Sequence, residues 1–189
     1  MSAPTTLDLT GTWDIDPAHT RLGFAARHAM VATVRGGFDV FSGEIHLDHA
    51  RPAASAATVE IDAASLSTGN AQRDEHVRGA DFLDVANFPT ITFRSTAVEQ
   101  VDDDEYRMHG ELTIKGVTKP VTLELEFQGS SPDPFGNIRG GFEGKATINR
   151  KDWGLSWNVA IEGGGILVGE KVKLELDVSA IKRVAPAAG

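Results

Sequence analysis

Cysteine is absent from this chain of 189 residues, which excludes disulfide bonds, zinc–thiolate sites and a cysteine nucleophile. No apolar stretch approaches the roughly 20 residues that a membrane-spanning helix needs, so no integral membrane segment is expected. Runs of lysine and arginine are also missing, and the formal net charge is −9. An acidic surface repels phosphate backbones and disfavours anionic headgroups, so we expect no nucleic-acid partner. The charge alone leaves open a local basic patch.

The first ten residues contain neither a basic segment nor an apolar core of the kind found in signal peptides. We therefore expect a cytoplasmic protein. Residues 1–10 are rich in alanine, proline and threonine and residues 183–189 in alanine and proline, which predicts flexible tails at both ranges. No internal repeat or composition change divides the remainder, so residues 11–182 are predicted to form one domain.

Apolar and polar residues alternate with a period of two along most of the chain, as in Val121–Phe127 and Val172–Val178. This pattern is typical of antiparallel strands with one buried face. Turn-forming residues separate the alternating runs, for example at 102–104, 115–120 and 130–137, and glycines 163–165 form another break. We predict an all-β fold, a single antiparallel barrel, with strands near residues 12–16, 20–28, 34–48, 56–62, 89–99, 105–115, 119–128, 139–149, 155–162 and 166–181.

The segment 70–84 departs from the alternation and predicts one short helix. Asn70 is a suitable N-cap, Gly79 a suitable end, and Asp74 and Arg78 have the i, i+4 spacing of a supporting ion pair. Its ionisable residues have two interpretations. They form either a polar cluster at a cavity mouth that binds a phosphate or similar headgroup, or a network that fixes the helix to the strands.

Metal and catalytic sites have weak support. Glu44 and His46 share a strand face but His49 does not, whereas zinc sites need three or four converging ligands. Glycines 163–165 lack the Gly-Lys-Ser/Thr ending of a phosphate loop, and no serine lies in a Gly-x-Ser-x-Gly motif. We expect no metal, no cofactor and no catalytic group. An enzyme that uses His76 or His28 as a general base on a lipid headgroup is the alternative.

Aromatic residues on or beside the predicted strands form either a packed core or the lining of a hollow barrel, and alternation does not distinguish the two. They are Phe24, Phe93, Phe127, Phe135, Phe142, Trp153 and Trp157. If the barrel is hollow, the predicted ligand-binding residues are Phe24, His28, Arg73, His76, Arg78, Phe93, Leu123, Leu125, Phe127, Trp153, Leu174 and Leu176.

Four stretches give the chain its resemblance to the YceI-like family, which extends from about Gly11 to Ile181. They read WDIDPAHT at 13–20, RDEHVR with DFLD at 73–84, GELTIKGVTKPV at 110–121 and ATINRKDWG at 146–154. The resemblance implies an extended, lipocalin-like barrel with a long internal pocket, a polyisoprenoid or related long-chain amphiphilic lipid as partner, and a possible homodimer. Many family members are periplasmic, whereas the first residues of this sequence predict no signal peptide.

Together these observations predict non-catalytic binding, storage or transport of a long-chain isoprenoid-type lipid, such as a polyprenyl phosphate or a quinone. Two alternatives remain: an enzyme acting on a lipid headgroup, and a solidly packed barrel that serves as an interaction or stress-response module.

Overall fold

The computed structural model describes residues 7–162 and 165–184. This part of the chain contains eleven strands: β1 Gly11–Ile15, β2 Arg21–His28, β3 Ala32–Phe38, β4 Phe41–Leu47, β5 Ala56–Asp62, β6 Leu66–Ser67, β7 Thr90–Gln100, β8 Glu105–Ile114, β9 Val117–Pro132, β10 Ile138–Asn149 and β11 Val168–Lys182. It also contains one α-helix, α1, Ala71–Arg78, and 3₁₀ turns at Pro52–Ala54, Ala63–Ser65 and Arg150–Trp153. The predicted all-β class with one short helix is confirmed.

Eight of the strands form a closed antiparallel barrel in the order β1, β4, β5, β7, β8, β9, β10 and β11, with β11 pairing back onto β1. Closure places Trp13 opposite Lys182 and Ile15 opposite Ala180. The same edge of β11 also pairs with β2, from Val168 to Asp177. Strands β2, β3 and β6 therefore form a second sheet branch that leaves the barrel beside β1.

The alternation in sequence places one apolar row on the inner face of the barrel. Trp13 is 1% exposed, and its indole nitrogen donates to the Leu9 carbonyl at 3.0 Å, which satisfies the polar atom of a fully buried ring. Glycines allow large side chains to cross this face. A Cβ on Gly110 would lie only 2.4 Å from Cζ of Phe93, so the ring packs directly against bare backbone.

The two barrel ends differ in what covers them. The helix end carries α1, the β8–β9 turn and the crossing segment, which we define as the described residues 154–162 and 165–167 between the last 3₁₀ turn and β11. There Lys115 Nζ donates to the Ala80 carbonyl at 3.0 Å and Trp153 Nε1 donates to the Leu112 carbonyl at 2.9 Å. The opposite end, the far end, carries the β7–β8 and β9–β10 turns.

Several predicted elements are confirmed by the structure. Reversals occur at 101–104 and at Lys115 and Gly116, where both residues have the positive φ of 51° and 73° that the tight hairpin turn requires. Asn70 caps α1 by accepting from the Arg73 amide at 3.0 Å, and Gly79 follows its last residue. The helix is shorter than the predicted 70–84, because hydrogen-bonded turns replace it after Arg78.

Two predicted strands are wrong. The run 34–48 is two strands, β3 and β4, separated at Asp39 and Val40, whose amides both bond to the Ser65 hydroxyl. The alternating run 155–162 is not a strand, because no barrel edge is free to pair with it. It forms one isolated bridge, between Ala160 and Ile166.

The remaining differences concern the loops and tails. The predicted loop 130–137 is shortened, because β9 continues to Pro132. The predicted tails fall partly on residues 1–6 and 185–189, and the glycine break partly on 163 and 164, all outside the described residues. Within the described part of the chain, no helix is long and apolar enough to cross a membrane.

Candidate functional site

The inner face of the barrel has one closely packed side and one accessible side. Inward residues of β1, β4, β5, β7 and β8 and of the first half of β9 are mostly buried, although Val59, Ile61 and Ile114 among them are only partly so. Most apolar ones of the second half of β9, β10, β11 and β2 stay partly exposed although they also pack on the core, with Leu22 and Ala180 as buried exceptions. We call this group the inner strip: Phe24, Leu125, Ala146, Ile148, Leu174, Leu176 and Val178.

The centre of the inner strip is a glycine covered by two leucines. Gly144 lies between Leu125 on β9 and Leu176 on β11. A Cβ there would lie 2.9 Å from Cδ2 of Leu125 and 3.2 Å from Cδ1 of Leu176, so the two leucines converge over the glycine. The result is a continuous aliphatic surface across three strands.

Aromatic rings lie at both ends of the inner strip. Phe24 packs over Gly36, where an added Cβ would lie 2.6 Å from Cζ of the ring, and its centroid is 5.9 Å from that of Phe38. Towards the far end, Phe127 and Phe142 form a tilted pair with centroids 5.1 Å apart. Such pairs bury large apolar areas while keeping fixed orientations.

An aromatic cluster joins α1 to the crossing segment at the helix end. The His76 ring meets Trp157 edge-on at a centroid distance of 4.6 Å and Phe82 at 5.2 Å. Its Nε2 lies 2.9 Å from Oδ2 of Asp81, and the side chain remains 42% exposed. His76 therefore reaches solvent beside apolar rings, which suits contact with an amphiphile.

The two arginines of the predicted polar cluster bind the chain segment that precedes α1. Arg73 donates through Nε to Oγ1 of Thr68 at 2.7 Å and through Nη2 to its carbonyl at 2.9 Å. Arg78 donates through Nη2 to the Leu66 carbonyl at 2.5 Å, while its Nε is buried without a partner among the described residues. Both contacts fit the interpretation in which the cluster fixes the helix to the strands.

The predicted ion pair between Asp74 and Arg78 is wrong. Asp74 is buried and accepts from the amide of Thr68 at 2.8 Å and from its hydroxyl at 2.5 Å. Helical spacing placed the two residues on one side of α1, but Asp74 instead accepts from Thr68 and Arg78 instead donates to the Leu66 carbonyl. Each side chain thereby satisfies a polar group of the segment that precedes the helix.

Arg150 is a functional candidate that the sequence analysis did not identify. Its guanidinium donates four hydrogen bonds at 2.5–3.2 Å to the carbonyls of Leu155, Trp157, Val168 and Gly169. Burial lowers its pKa, and its partners are backbone dipoles. It holds both ends of the crossing segment, so it determines how this segment covers the helix end.

A charged group lies at the far end. Arg139 donates to Asp16 at 2.6 Å and to Asp133 at 3.0 Å, and His19 lies 2.7 Å from the same Asp16 oxygen. The hydrogen bond from Arg139, followed by that from His19, lowers the pKa of Asp16 to about 2. These contacts fix the β9–β10 turn to the loop between β1 and β2.

The residues weighed as metal ligands are not brought together. Glu44 accepts a 2.7 Å bond from Arg183, and no group of three or more histidine or carboxylate side chains within residues 7–162 and 165–184 converges as a metal site would require.

The predicted ligand-binding residues separate into groups. Phe24, Leu125, Leu174 and Leu176 belong to the inner strip, and Phe127 lies beyond it. Phe93, Leu123 and Trp153 are in the packed core. His28 is exposed at the β2–β3 turn. Phe135, one of the aromatics considered for a core or lining position, is 87% exposed in the β9–β10 turn.

The fold and the inner strip define a small closed antiparallel barrel with an accessible apolar inner face. The chain belongs to the YceI-like family, because the model of the YceI-like domain matches residues 13–180.

Relatives and solved structures agree with this assignment. A UPF0312 protein of Vibrio vulnificus is 36% identical over 170 residues, which are 90% of this chain and 86% of that protein. The Campylobacter jejuni YceI protein superposes with a TM-score of 0.72 at 28% identity, covering 84% of this chain and 90% of that one. A polyisoprenoid binding domain from Saccharophagus degradans gives 0.66 at 17% identity over 90% and 98%, a match that shows the fold alone.

Proposed function

We propose that this chain binds one long isoprenoid-type lipid, a polyprenyl phosphate or quinone-like molecule, with its tail against the inner strip, and that it acts as a carrier or store without catalysis. The observation that carries the proposal is the partial exposure of six apolar side chains that face into a closed barrel, with Phe24 continuing the same surface onto β2. Family membership and the fold shared with a polyisoprenoid binding domain support the same class of ligand.

The chemistry of the inner strip suits a tail better than a compact ligand. Each buried CH₂-sized group contributes about 0.8 kcal/mol, less the flexibility that the tail loses. All seven side chains of the strip are hydrocarbon, so they select for length and not for polar groups. A filled barrel would instead bury these residues as completely as Phe93 and Leu112.

The headgroup is proposed to lie at the helix end, beside the exposed rings of His28 and His76. Arg73 and Arg78 already donate to backbone carbonyls or hydroxyls, so we propose that they position α1 next to the headgroup. Transfer of the lipid between sites, a cytoplasmic location and a homodimeric state are further parts of the proposal.

Lipid extraction from the purified protein, followed by mass spectrometry, tests the function directly. A single class of long-chain lipid at close to one molecule per chain is expected. If extraction and titration with polyprenyl phosphates and quinones both give no binding, the proposal is wrong. Conversion of such a lipid during incubation would instead favour the enzyme alternative.

The Leu125→Trp substitution tests where the tail lies. An indole at this position fills space that a long tail would occupy along the inner strip, so affinity for long-chain lipids should fall severalfold more than affinity for short ones. Glu124→Trp is the matched control, because the neighbouring side chain points outward and is 59% exposed. If Leu125→Trp costs roughly 1–3 kcal/mol of stability and chain-length preference is unchanged, the barrel is packed solid.

A further inference from the structure

The β2–β3 turn departs from ordinary hairpin chemistry. Ala29 and Met30 have φ values of 48° and 64°, and the Val31 amide donates to the His28 carbonyl at 3.2 Å. Two consecutive residues in the left-handed region normally require Asn-Gly or a similar pair, because a Cβ is crowded there. The turn thus presents apolar side chains at its tip in a conformation that crowds their Cβ atoms.

The tip is also unusually exposed. Val31 is 81% and Met30 56% exposed, and Val159 on the crossing segment is 46% exposed. The Ala29 amide donates to the Leu167 carbonyl at 2.7 Å and the Leu167 amide to the Val159 carbonyl at 2.9 Å, so the three segments are neighbours. We call Met30, Val31 and Val159 the apolar tip.

Four cations lie on the outer face of the strands that carry the tip, and we call them the cationic patch: Arg27, Arg35, Lys171 and Lys173. Arg35 and Lys173 both pair with Ala25, on its two sides, so they flank a small residue. All four side chains belong to exposed residues, and within the described residues none lies within 4.0 Å of a carboxylate. The four cations lie on three different strands and become neighbours only when the strands pair. For this reason the sequence contains no basic run at the patch.

The opposite half of the same outer face is acidic. Glu105, Glu126, Glu143 and Asp177 are direct neighbours across β8, β9, β10 and β11. Asp177 lies four positions beyond Lys173, about 13 Å along the strand, which exceeds the Debye length of about 8 Å at physiological salt. Glu175 lies between these two residues on the same face, but it pairs with Arg21 at 4.0 Å. The acids therefore do not cancel the cationic patch, and the charge separation directs the tip towards an anionic surface.

We propose that the apolar tip and the cationic patch dock this protein on a lipid bilayer that contains anionic lipid, with the tip inserted among the headgroups. Such a bilayer presents anionic headgroups at its surface and an apolar region beneath them. The cations of the patch match the headgroups, and the exposed apolar side chains match the region beneath. Two-fold self-association through this face would bring cations against cations, so a second copy of the chain fits it less well. The proposal does not depend on which lipid the barrel holds.

Vesicle co-sedimentation tests the docking. The full chain should bind vesicles of phosphatidylglycerol and phosphatidylcholine more tightly than pure phosphatidylcholine, and salt should weaken the binding. Met30→Gly and Val31→Ser should each reduce the partition coefficient severalfold, and Lys173→Gln about fivefold. Met30→Gly also removes strain at a positive φ, so its thermal stability should be equal or higher while binding falls.

Matched controls separate docking from general effects. Phe135→Ser removes an equally exposed apolar residue at the far end, and Lys145→Gln removes a cation that lies 3.7 Å from Glu124. Both should bind vesicles like the unmodified protein. The proposal is overturned if the protein does not bind anionic vesicles, or if Phe135→Ser weakens binding as much as Val31→Ser. It is also overturned if the tip variants alter only dimer formation, measured by sedimentation, and leave vesicle binding unchanged.

Discussion

Replacing Arg150 by methionine should loosen the crossing segment without disrupting the barrel. The guanidinium supplies four of the hydrogen bonds that hold this segment, and its side chain lies over the ring of Phe82 at 5.8 Å. Methionine retains most of the apolar volume but donates no hydrogen bond. The substitution therefore separates the polar role of the side chain from its packing.

The expected loss of stability in Arg150→Met follows from the carbonyls that lose their hydrogen-bond donor. An unsatisfied buried carbonyl costs roughly 1–3 kcal/mol, and relief from burying the charge offsets part of the sum. Water will reach the carbonyls nearest the surface, which favours the low end of the range. We expect a net loss of about 2–4 kcal/mol, which for 189 residues lowers Tm by roughly 5–15 °C.

Thermal unfolding and amide hydrogen exchange measure the two consequences. Exchange should accelerate in the crossing segment and at Val168 and Gly169, and remain slow in β7 and β8. Lys151→Met is the control, because its exposed ion pair with Glu170 is worth little. If Arg150→Met costs less than 1 kcal/mol, or if exchange rises evenly over the barrel, the assignment of Arg150 to the crossing segment is refuted.

Two further predictions address the charged groups. The pKa of Asp16 falls from 3.8 to about 2 on folding, so its stabilising contribution is complete above about pH 4 and is lost as pH falls through 2. The acid unfolding curve of Asp16→Asn should therefore lack this loss of stability. An acid transition identical to that of the unmodified protein would contradict the prediction. Arg78→Ala should lower the free energy of unfolding by about 1–3 kcal/mol, because the Leu66 carbonyl loses its donor. The preference for phosphate-bearing over neutral lipids should change by less than this. A large change in that preference at constant Tm would show instead that Arg78 acts mainly on the ligand.

The barrel was predictable because two local signals agree along most of the chain. Strands such as β9 alternate over Val121–Phe127, and residues 102–104 and 115–116 mark the reversals. The run 155–162 alternates equally well but is not a strand. Alternation identifies a segment able to pair, whereas pairing also requires a free edge, and both edges of β11 are already occupied.

The site was only partly predictable, for a related reason. Leu123 and Leu125 are two positions apart on one inner face, yet the first is buried and the second partly exposed. The difference depends on which strands lie across the barrel, and period-two reasoning contains no such information. Arg150 was missed because an arginine beside an acid and a lysine resembles a solvated turn, and its carbonyl partners become neighbours only after folding.

The shared edge of β11 also constrains how the barrel assembles. The Thr20 hydroxyl bonds to the Ser179 carbonyl, 159 positions away, and β1 pairs only with β4 and with the last residues of β11. Contacts of such long range make folding slow, because loop closure precedes the stabilisation that it permits. During synthesis β4 therefore gains β1 on one edge while the ring stays open. The barrel closes only when β11 arrives. Its earlier residues pair with β2 and its last residues pair with β1, and this second pairing converts an open sheet with exposed edges into a closed barrel.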